Sequence, residues 1–297
     1  MPFPKRFRAC TILACLAFSS LAAYAASPAF DAIYVFGDSY CDVGNIYAVT
    51  KGAVPLSPPY YHGRFTNGPI WVEHVASAMG LPMLPALAGG TDYAFGGAWA
   101  TEAQTTSAGT IPDVPDQVAL YLSQHGGKAD PNALYILEGG GNDIVGNLGP
   151  GGMQAEELGF EIALAISGSE LLLREAGARH FLIPDLFNVG ILPAAQANPT
   201  YAADASAFAD RFLDDLLSAE SFIEGIQIQR LNVIPLYNAI ETDVNHFGFT
   251  NVTTPCLDTT TETVCADPDH TLFWDTFHPT EFGHVYFAVT VEAVLRQ

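Results

Sequence analysis

Basic residues are scarce in this chain: eleven lysines and arginines stand against 32 aspartates and glutamates, a formal charge of −21. A surface of that sign repels nucleic-acid phosphates and anionic lipid headgroups at long range, so neither is expected as a steady partner. Long apolar runs are few as well. The stretch ACTILACLAFSSLAA near the N-terminus is shorter than the roughly 20 residues a spanning helix needs, and no stable membrane insertion is expected. There is no internal repeat, no long linker and no block of like charge, which argues against a multi-domain array. With 49% hydrophobic and 11% aromatic residues, the chain can build one sizeable core.

Lys5, Arg6 and Arg8 precede that apolar stretch, and Ala23-Tyr24-Ala25 follow it with small residues where a signal peptidase reads. This is the form of a secretory signal cleaved after Ala25, with an uncleaved anchor as the alternative. Cys15 follows Ile12-Leu13-Ala14 after too short an apolar run for a lipidation site to be expected. Cleavage removes three basic residues and no acidic one, leaving 8 against 32, or −24. Residues 26–297 are then read as a single domain, exported to the periplasm or the medium.

Cysteine is also limited. Of five, three lie beyond residue 25: Cys41, Cys256 and Cys265. The last two bracket CLDTTTETVC, and in an exported chain they are expected to close a surface loop as a disulfide. Cys41 is left as a buried thiol.

Short apolar runs alternate with helical segments. AIYVF (32–36), TDYAF (91–95), ALYIL (133–137), HFLIP (180–184) and NVIPL (232–236) read as strands covered on both faces. Residues 69–80 and 113–127 carry proline near the start and glycine at the end, the punctuation of helices. Residues 153–177, about 203–227 and 279–295 are further helical candidates. The alternation argues for an α/β sandwich with a mainly parallel sheet. Loops 50–68, 98–111 and 248–276 are candidate walls of a cleft.

One turn stands out. IYVFGDSYCDVGN (33–45) delivers Ser39 just past the end of the first strand, after a glycine that lets the backbone turn sharply. Open α/β sheets bind ligands beyond the carboxyl ends of their strands. A serine there is also a common helix cap, and the stretch lacks the GxSxG form of a nucleophile elbow. Two glycine-rich turns, DYAFGGA (92–98) and LEGGGNDI (137–144), each follow an expected strand. Glycine there lets a backbone N–H approach a substrate, and the Asn142 amide is a neutral donor suited to a developing oxyanion.

A serine nucleophile needs a base, and the base an orienting partner. Four histidines have an acidic residue three positions earlier: Asp243/His246, Asp267/His270, Asp275/His278 and Glu281/His284. Spacing alone does not choose among them. FWDTFHPTEFGH places Asp275 and His278 in an aromatic loop that Pro279 breaks before the last helix. His284 reads as part of that helix, and His246 as the end of another.

FGDSYCDVGN, DYAFGGA, GGGND and DTFHPT occur in the order of the sequence blocks of the GDSL family of SGNH hydrolases, which the chain resembles from about residue 32 to its end. SPPYYHGRFTNGPIWVE (57–73) is similar to the segment after the first block in secreted bacterial members. The resemblance implies a three-layer α/β/α sandwich of flavodoxin-like type and ester hydrolysis by a serine. It implies Ser39 as nucleophile and as one oxyanion donor through its N–H, Gly97 (with Gly96 as alternative) and Asn142 as the other donors, and Asp275 and His278 as the remaining catalytic pair. Tyr40 stands where leucine is usual, Cys41 where serine is common, and Asp92 where asparagine is frequent.

The expected substrate is a carboxylic ester of a lipid, lysophospholipid or simple alcohol, with no metal or organic cofactor. The alternatives are an O-acetyl esterase acting on polysaccharide, or a non-catalytic surface-binding or membrane-damaging protein on the same scaffold. Tyr60, Tyr61, Phe65 and Trp99 suit sugar stacking, an acyl groove or plain packing equally well. Asp258, Glu262, Asp267 and Asp269 lack the regular spacing of a calcium loop and read as a solvated acidic segment. The chain ends soon after the last block, so no β-barrel carrier is expected, and nothing in the sequence fixes an oligomeric state.

Overall fold

Ile33–Phe36 sets branched and aromatic side chains in succession, which suits a pleated and buried surface, and forms strand β1. The computed structural model describes residues 30–107, 109–185 and 189–297; the expected signal segment, 1–25, lies outside the described residues. After β1 come α1 (Asn45–Val49), α2 (Trp71–Ala78), the hairpin of β2 (Gln104–Thr106) and β3 (Gly109–Ile111), and α3 (Val114–Gln124). Next are β4 (Leu134–Leu137), α4 (Gly141–Asn147), α5 (Ala155–Ala176), β5 (His180–Pro184), α6 (Pro193–Gln196) and α7 (Pro199–Glu220). β6 (Gln227–Leu231), α8 (Ile234–Thr242), the hairpin of β7 (Leu257–Asp258) and β8 (Thr263–Val264), and α9 (Glu281–Leu295) complete the order.

Helix starts follow the sequence signals. Asp113 accepts the Asp116 N–H at 2.7 Å and opens α3 with Pro115 in its first turn. Thr280 does the same for α9 through the Gly283 N–H. Such caps satisfy donors that have no partner inside the helix.

The sheet is parallel, in the order β1-β4-β5-β6. Residues 91–95, expected as a regular strand, instead run beside β1 as an irregular edge. Val35 donates to the Thr91 carbonyl at 3.1 Å, and the Tyr93 N–H returns to Val35 at 2.7 Å. From β1 the chain steps outward to this edge through α2, then back across β1 to β4 through α3. Right-handed crossovers stepping in opposite directions place their helices on opposite faces. Accordingly α2 packs with α9, while α3, α5 and α7 pack in series. Every residue of β4 is buried, as in a strand covered on both faces. The architecture is a three-layer α/β/α sandwich. Its change of direction opens a crevice between the carboxyl ends of β1 and β4, where such sheets bind ligands.

The last strand is not where the sequence placed it. NVIPL (232–236) enters α8, and the strand is QIQRL just before it. Pro235 fits the first helical turn, where its missing N–H costs nothing. The edge strand beside it carries polar residues and lacks the continuous apolar run of a central strand. The helix expected at about 203–227 starts earlier and ends earlier, at Pro199 and Glu220, because Asn198 caps it through the Thr200 N–H.

Behind the sheet, Arg230 of β6 bonds Asp185 at 3.2 Å and also pairs with Glu220 of α7. Glu170 of α5 is fully buried beside them. Burial foremost, and then the Glu220 charge, push the Glu170 carboxyl up to about 9 against the opposing pull of Arg230. The native state therefore holds a proton that the unfolded chain releases near its ordinary range, and the stability this supplies at acid pH is lost as pH rises through about 9. Glu170→Gln preserves the neutral shape. Its melting temperature is expected to fall less steeply from about pH 5 to about pH 9 than that of the wild type. Equal slopes in a thermal-melt series would contradict this.

Candidate active site

Gly37 follows β1 in a space too tight for a side chain unless Glu138 shifts: a Cβ there would lie 2.7 Å from the Glu138 carboxyl and 3.0 Å from its carbonyl. Gln117 of α3 grips the same residue twice, accepting the Gly37 N–H at 2.8 Å and donating to its carbonyl at 2.9 Å. The turn then closes on Asp38, whose carboxylate accepts the Tyr40 N–H and whose carbonyl accepts from Cys41 and Asp42. Ser39 is left at the cavity wall, 8% exposed, and Cys41 is a buried thiol.

The loop before α9 meets it. Asp275 Oδ1 accepts the N–H groups of Phe277 and His278, both at 2.8 Å, so the carboxylate shapes the loop that carries the histidine. His278 Nδ1 lies 2.8 Å from Asp275 Oδ2, and His278 Nε2 lies 2.8 Å from Ser39 Oγ. Burial works to raise the Asp275 pKa, but His278, Tyr60 and the loop N–H groups together hold it below the usual carboxylate value. Its ionised form is thus held against the imidazole, the arrangement that fixes a base with one nitrogen facing a hydroxyl.

Two tyrosines complete this arrangement, and the sequence did not reveal either role. Tyr60, a candidate cleft wall, donates to Asp275 Oδ2 at 2.7 Å. Tyr40, which stands in the usual leucine position, donates to the Phe277 carbonyl at 2.5 Å. The Phe277–His278 peptide is therefore held on both sides, its carbonyl by Tyr40 and its N–H by Asp275. A planar peptide transmits both restraints. Phe65 lies with its ring centroid 5.1 Å from that of His278. Of the other aromatics, Tyr61 packs on His62, and Trp99 fills the space over Gly146.

The remaining acid–histidine pairs lie apart from Ser39 in their contacts. His270 bonds Asp267 at 2.7 Å, but both are exposed. His284 sits buried on α9, where burial foremost pushes its pKa down to about 3. His246 lies in the turn after α8, with its N–H on Asp243. Cys256 and Cys265 form a disulfide. Among the described residues no cluster of histidine, cysteine or carboxylate groups could hold a metal ion.

Of the two candidate glycines, Gly96 has its N–H on Asp42 Oδ2 at 2.8 Å. Gly97, in the left-handed region at φ +82°, lines the cavity beside Ser39. Among the described residues, neither the Ser39 nor the Gly97 N–H has a hydrogen-bond partner. Asn142 projects from the start of α4, its amide donating to the Ala98 carbonyl at 2.9 Å and to Asp38 Oδ2 at 3.0 Å. Burial foremost, opposed by the Tyr40 N–H and by His278, raises the Asp38 carboxyl to about 6. Asp143, next to Asn142, binds the N–H groups of Ala100 and Thr101 and so joins this turn to the glycine turn. These groups surround a cavity of about 170 Å³ whose remaining wall is largely apolar.

Residues 33–290 match the family model described as GDSL-like Lipase/Acylhydrolase. The chain belongs to that family. It is 29% identical over 234 residues to a phosphatidylcholine-sterol acyltransferase of Aeromonas hydrophila, covering 77% of this chain and 66% of the relative. It is 27% identical over 282 residues to a thermolabile hemolysin of Vibrio parahaemolyticus, covering 86% and 62%. The chain thus spans less than two thirds of the length of these relatives. Among solved structures it is similar to Axe2, an acetylxylan esterase from Geobacillus stearothermophilus. That match has 13% identity and a TM-score of 0.47, over 91% of this chain and 96% of the other.

The doubly held peptide has a measurable consequence. A net hydrogen bond contributes about 1 kcal/mol, so Tyr40→Phe is expected to slow labelling of Ser39 by a fluorophosphonate roughly fivefold to tenfold. An unchanged labelling rate in a folded variant would show that the bond does not hold His278.

Proposed function

We propose that the protein is an exported serine hydrolase that cleaves carboxylic esters of the lipid type through an acyl-enzyme on Ser39. The observation that carries this reading is the continuous contact Ser39 Oγ–His278 Nε2, His278 Nδ1–Asp275, opening on an apolar cavity. Ser39 Oγ attacks the ester carbonyl carbon while His278 Nε2 takes its proton. The carbonyl oxygen, now anionic, is met by the Ser39 and Gly97 N–H groups and by the Asn142 amide, which exchanges its Asp38 contact for the oxyanion. Collapse breaks the bond to the alcohol, which leaves with the proton from His278. Water, deprotonated by the same imidazole, then releases the acid and restores Ser39. Every proton and electron pair is accounted for by these side chains, the ester and water.

Export is supported by the basic and apolar N-terminal pattern and by the 256–265 disulfide, a bond that persists in oxidising compartments. Partner and substrate follow the same logic: a neutral, largely apolar ester suits a strongly acidic protein better than a polyanion does.

A chromogenic ester series from acetyl to palmitoyl, run with acetylated xylan and a lysophospholipid, tests the reading. Turnover is expected to extend past acetyl, to fall to background in Ser39→Ala, and to drop about 10²–10³-fold in Asn142→Ala. Activity that survives Ser39→Ala would overturn the nucleophile. Release of acetate from xylan without turnover of longer acyl esters would move the substrate to acetylated polysaccharide. A folded wild-type protein that turns over no ester would favour a non-catalytic role.

A further inference from the structure

The cavity at Ser39 shares part of its lining with a neighbouring hollow. Val145, Val189, Leu192 and Phe277 line it, and the same four residues line a second hollow of about 180 Å³ beyond them. The second hollow is completed by Leu148, Ala194, Ala195 and Tyr201. Among the described residues no charged side chain lines it, and the one polar side-chain group is the Tyr201 hydroxyl. By contrast, Asp38, Asn142 and His278 line only the first. Polarity therefore falls from the reacting atoms outward, past four shared apolar side chains, to a hollow whose described lining carries no charge.

We propose that this second chamber receives the distal part of the substrate's acyl chain, with Tyr201 as its stop, so that the enzyme is selective for medium-length straight-chain acyl esters. The proposal rests on the ester-hydrolase reading of Ser39 and names the acyl half of its substrate. The chamber is built from elements that also hold the catalytic loop. The Ala194 N–H at the start of α6 donates to the Thr276 carbonyl at 3.0 Å, between Asp275 and His278. Phe277, next to the base, lines both hollows. An acyl chain leaving Ser39 over Val145 and Val189 thus stays in apolar contact, whereas an acetyl group leaves the chamber unfilled. Tyr201, which lines the second hollow and not the first, packs closely over Gly149, where a Cβ would lie only 2.8 Å from the Tyr201 hydroxyl. A dry cavity of about 150 Å³ accommodates a benzene ring. Two such hollows in series, the first shared with the ester group, fit a chain of roughly eight to ten carbons.

Burying each added methylene is expected to raise kcat/KM about fourfold until the chamber is full. The profile should then flatten or fall toward palmitoyl. Two variants and one binding measurement test this. Ala194→Phe fills the half-buried side of the chamber and is expected to lower kcat/KM on octanoyl and decanoyl esters at least roughly tenfold more than it lowers kcat/KM on the acetyl ester. Tyr201→Ala removes the stop and is expected to move the optimum to longer chains. In Ser39→Ala, which cannot turn over, decanoate is expected to raise the melting temperature at concentrations where butyrate does not.

A profile that both variants leave unchanged overturns the chamber, as does decanoate binding no better than butyrate. The hydrolase reading is judged separately, on acetyl ester turnover by the wild type. If that turnover is absent while decanoate still stabilises Ser39→Ala, the chamber stands and the chemistry fails.

Discussion

The contact between Ser39 Oγ and His278 Nε2 joins two residues 239 positions apart, and the arrangement around it depends on that 2.8 Å being held. Neither side chain sets it alone. Ser39 is positioned by a turn in which Gly37 lies too close to Glu138 for a Cβ without a shift of that residue, and His278 by a loop whose N–H groups converge on Asp275. The sheet brings the two together. Its change of direction between β1 and β4 leaves a crevice at their carboxyl ends, and α9, packed on α2, holds the histidine loop over it. Tyr40 then joins turn and loop directly, so that the position of His278 is measured from the residue beside Ser39.

Buried acid does much of the bracing. Asp42 accepts N–H groups from Gly44, Asn45, Ile46 and Gly96; Asp92 accepts from Val43 and Ala94; Asp143 accepts from Ala100 and Thr101. Each carboxylate ties one loop of the crevice to another through backbone donors that would otherwise be buried without partners. Burial raises all three pKa values, and in Asp92 the nearby Asp42 charge adds to it. The bond from Gly96 to Asp42 occupies the Gly96 N–H, whereas Gly97 lines the cavity. The acidity of the chain is therefore partly architectural, beyond its effect on long-range charge.

Much of this was legible in sequence because it is local. Ile33–Phe36 running into Gly37-Asp38-Ser39, and the loop around Asp275 and His278, each carry their meaning within a dozen residues. The choice of His278 over His270 was not fixed by spacing, since Asp267 and His270 make the same bond at 2.7 Å. What separates them is burial and the approach of Ser39, both tertiary. The roles of Tyr60 and Tyr40 were hidden for the same reason: their acceptors lie 215 and 237 positions away. The strand at 227–231 was missed because an edge strand need not be apolar, and the apolar run after it carried a proline that suits a helix start better. The disulfide could be read from two cysteines nine positions apart, whereas the second hollow, made of residues from five separate segments, had no local signal.

In the proposed mechanism Ser39 carries the acyl group in mid-reaction. The most direct test is acid quenching during turnover of a butyryl ester, followed by mass spectrometry of the digested protein. One acyl increment is expected on the peptide that contains Ser39, and its loss in His278→Gln. Turnover with no acyl group on that peptide, or an acyl group on another residue, would contradict it.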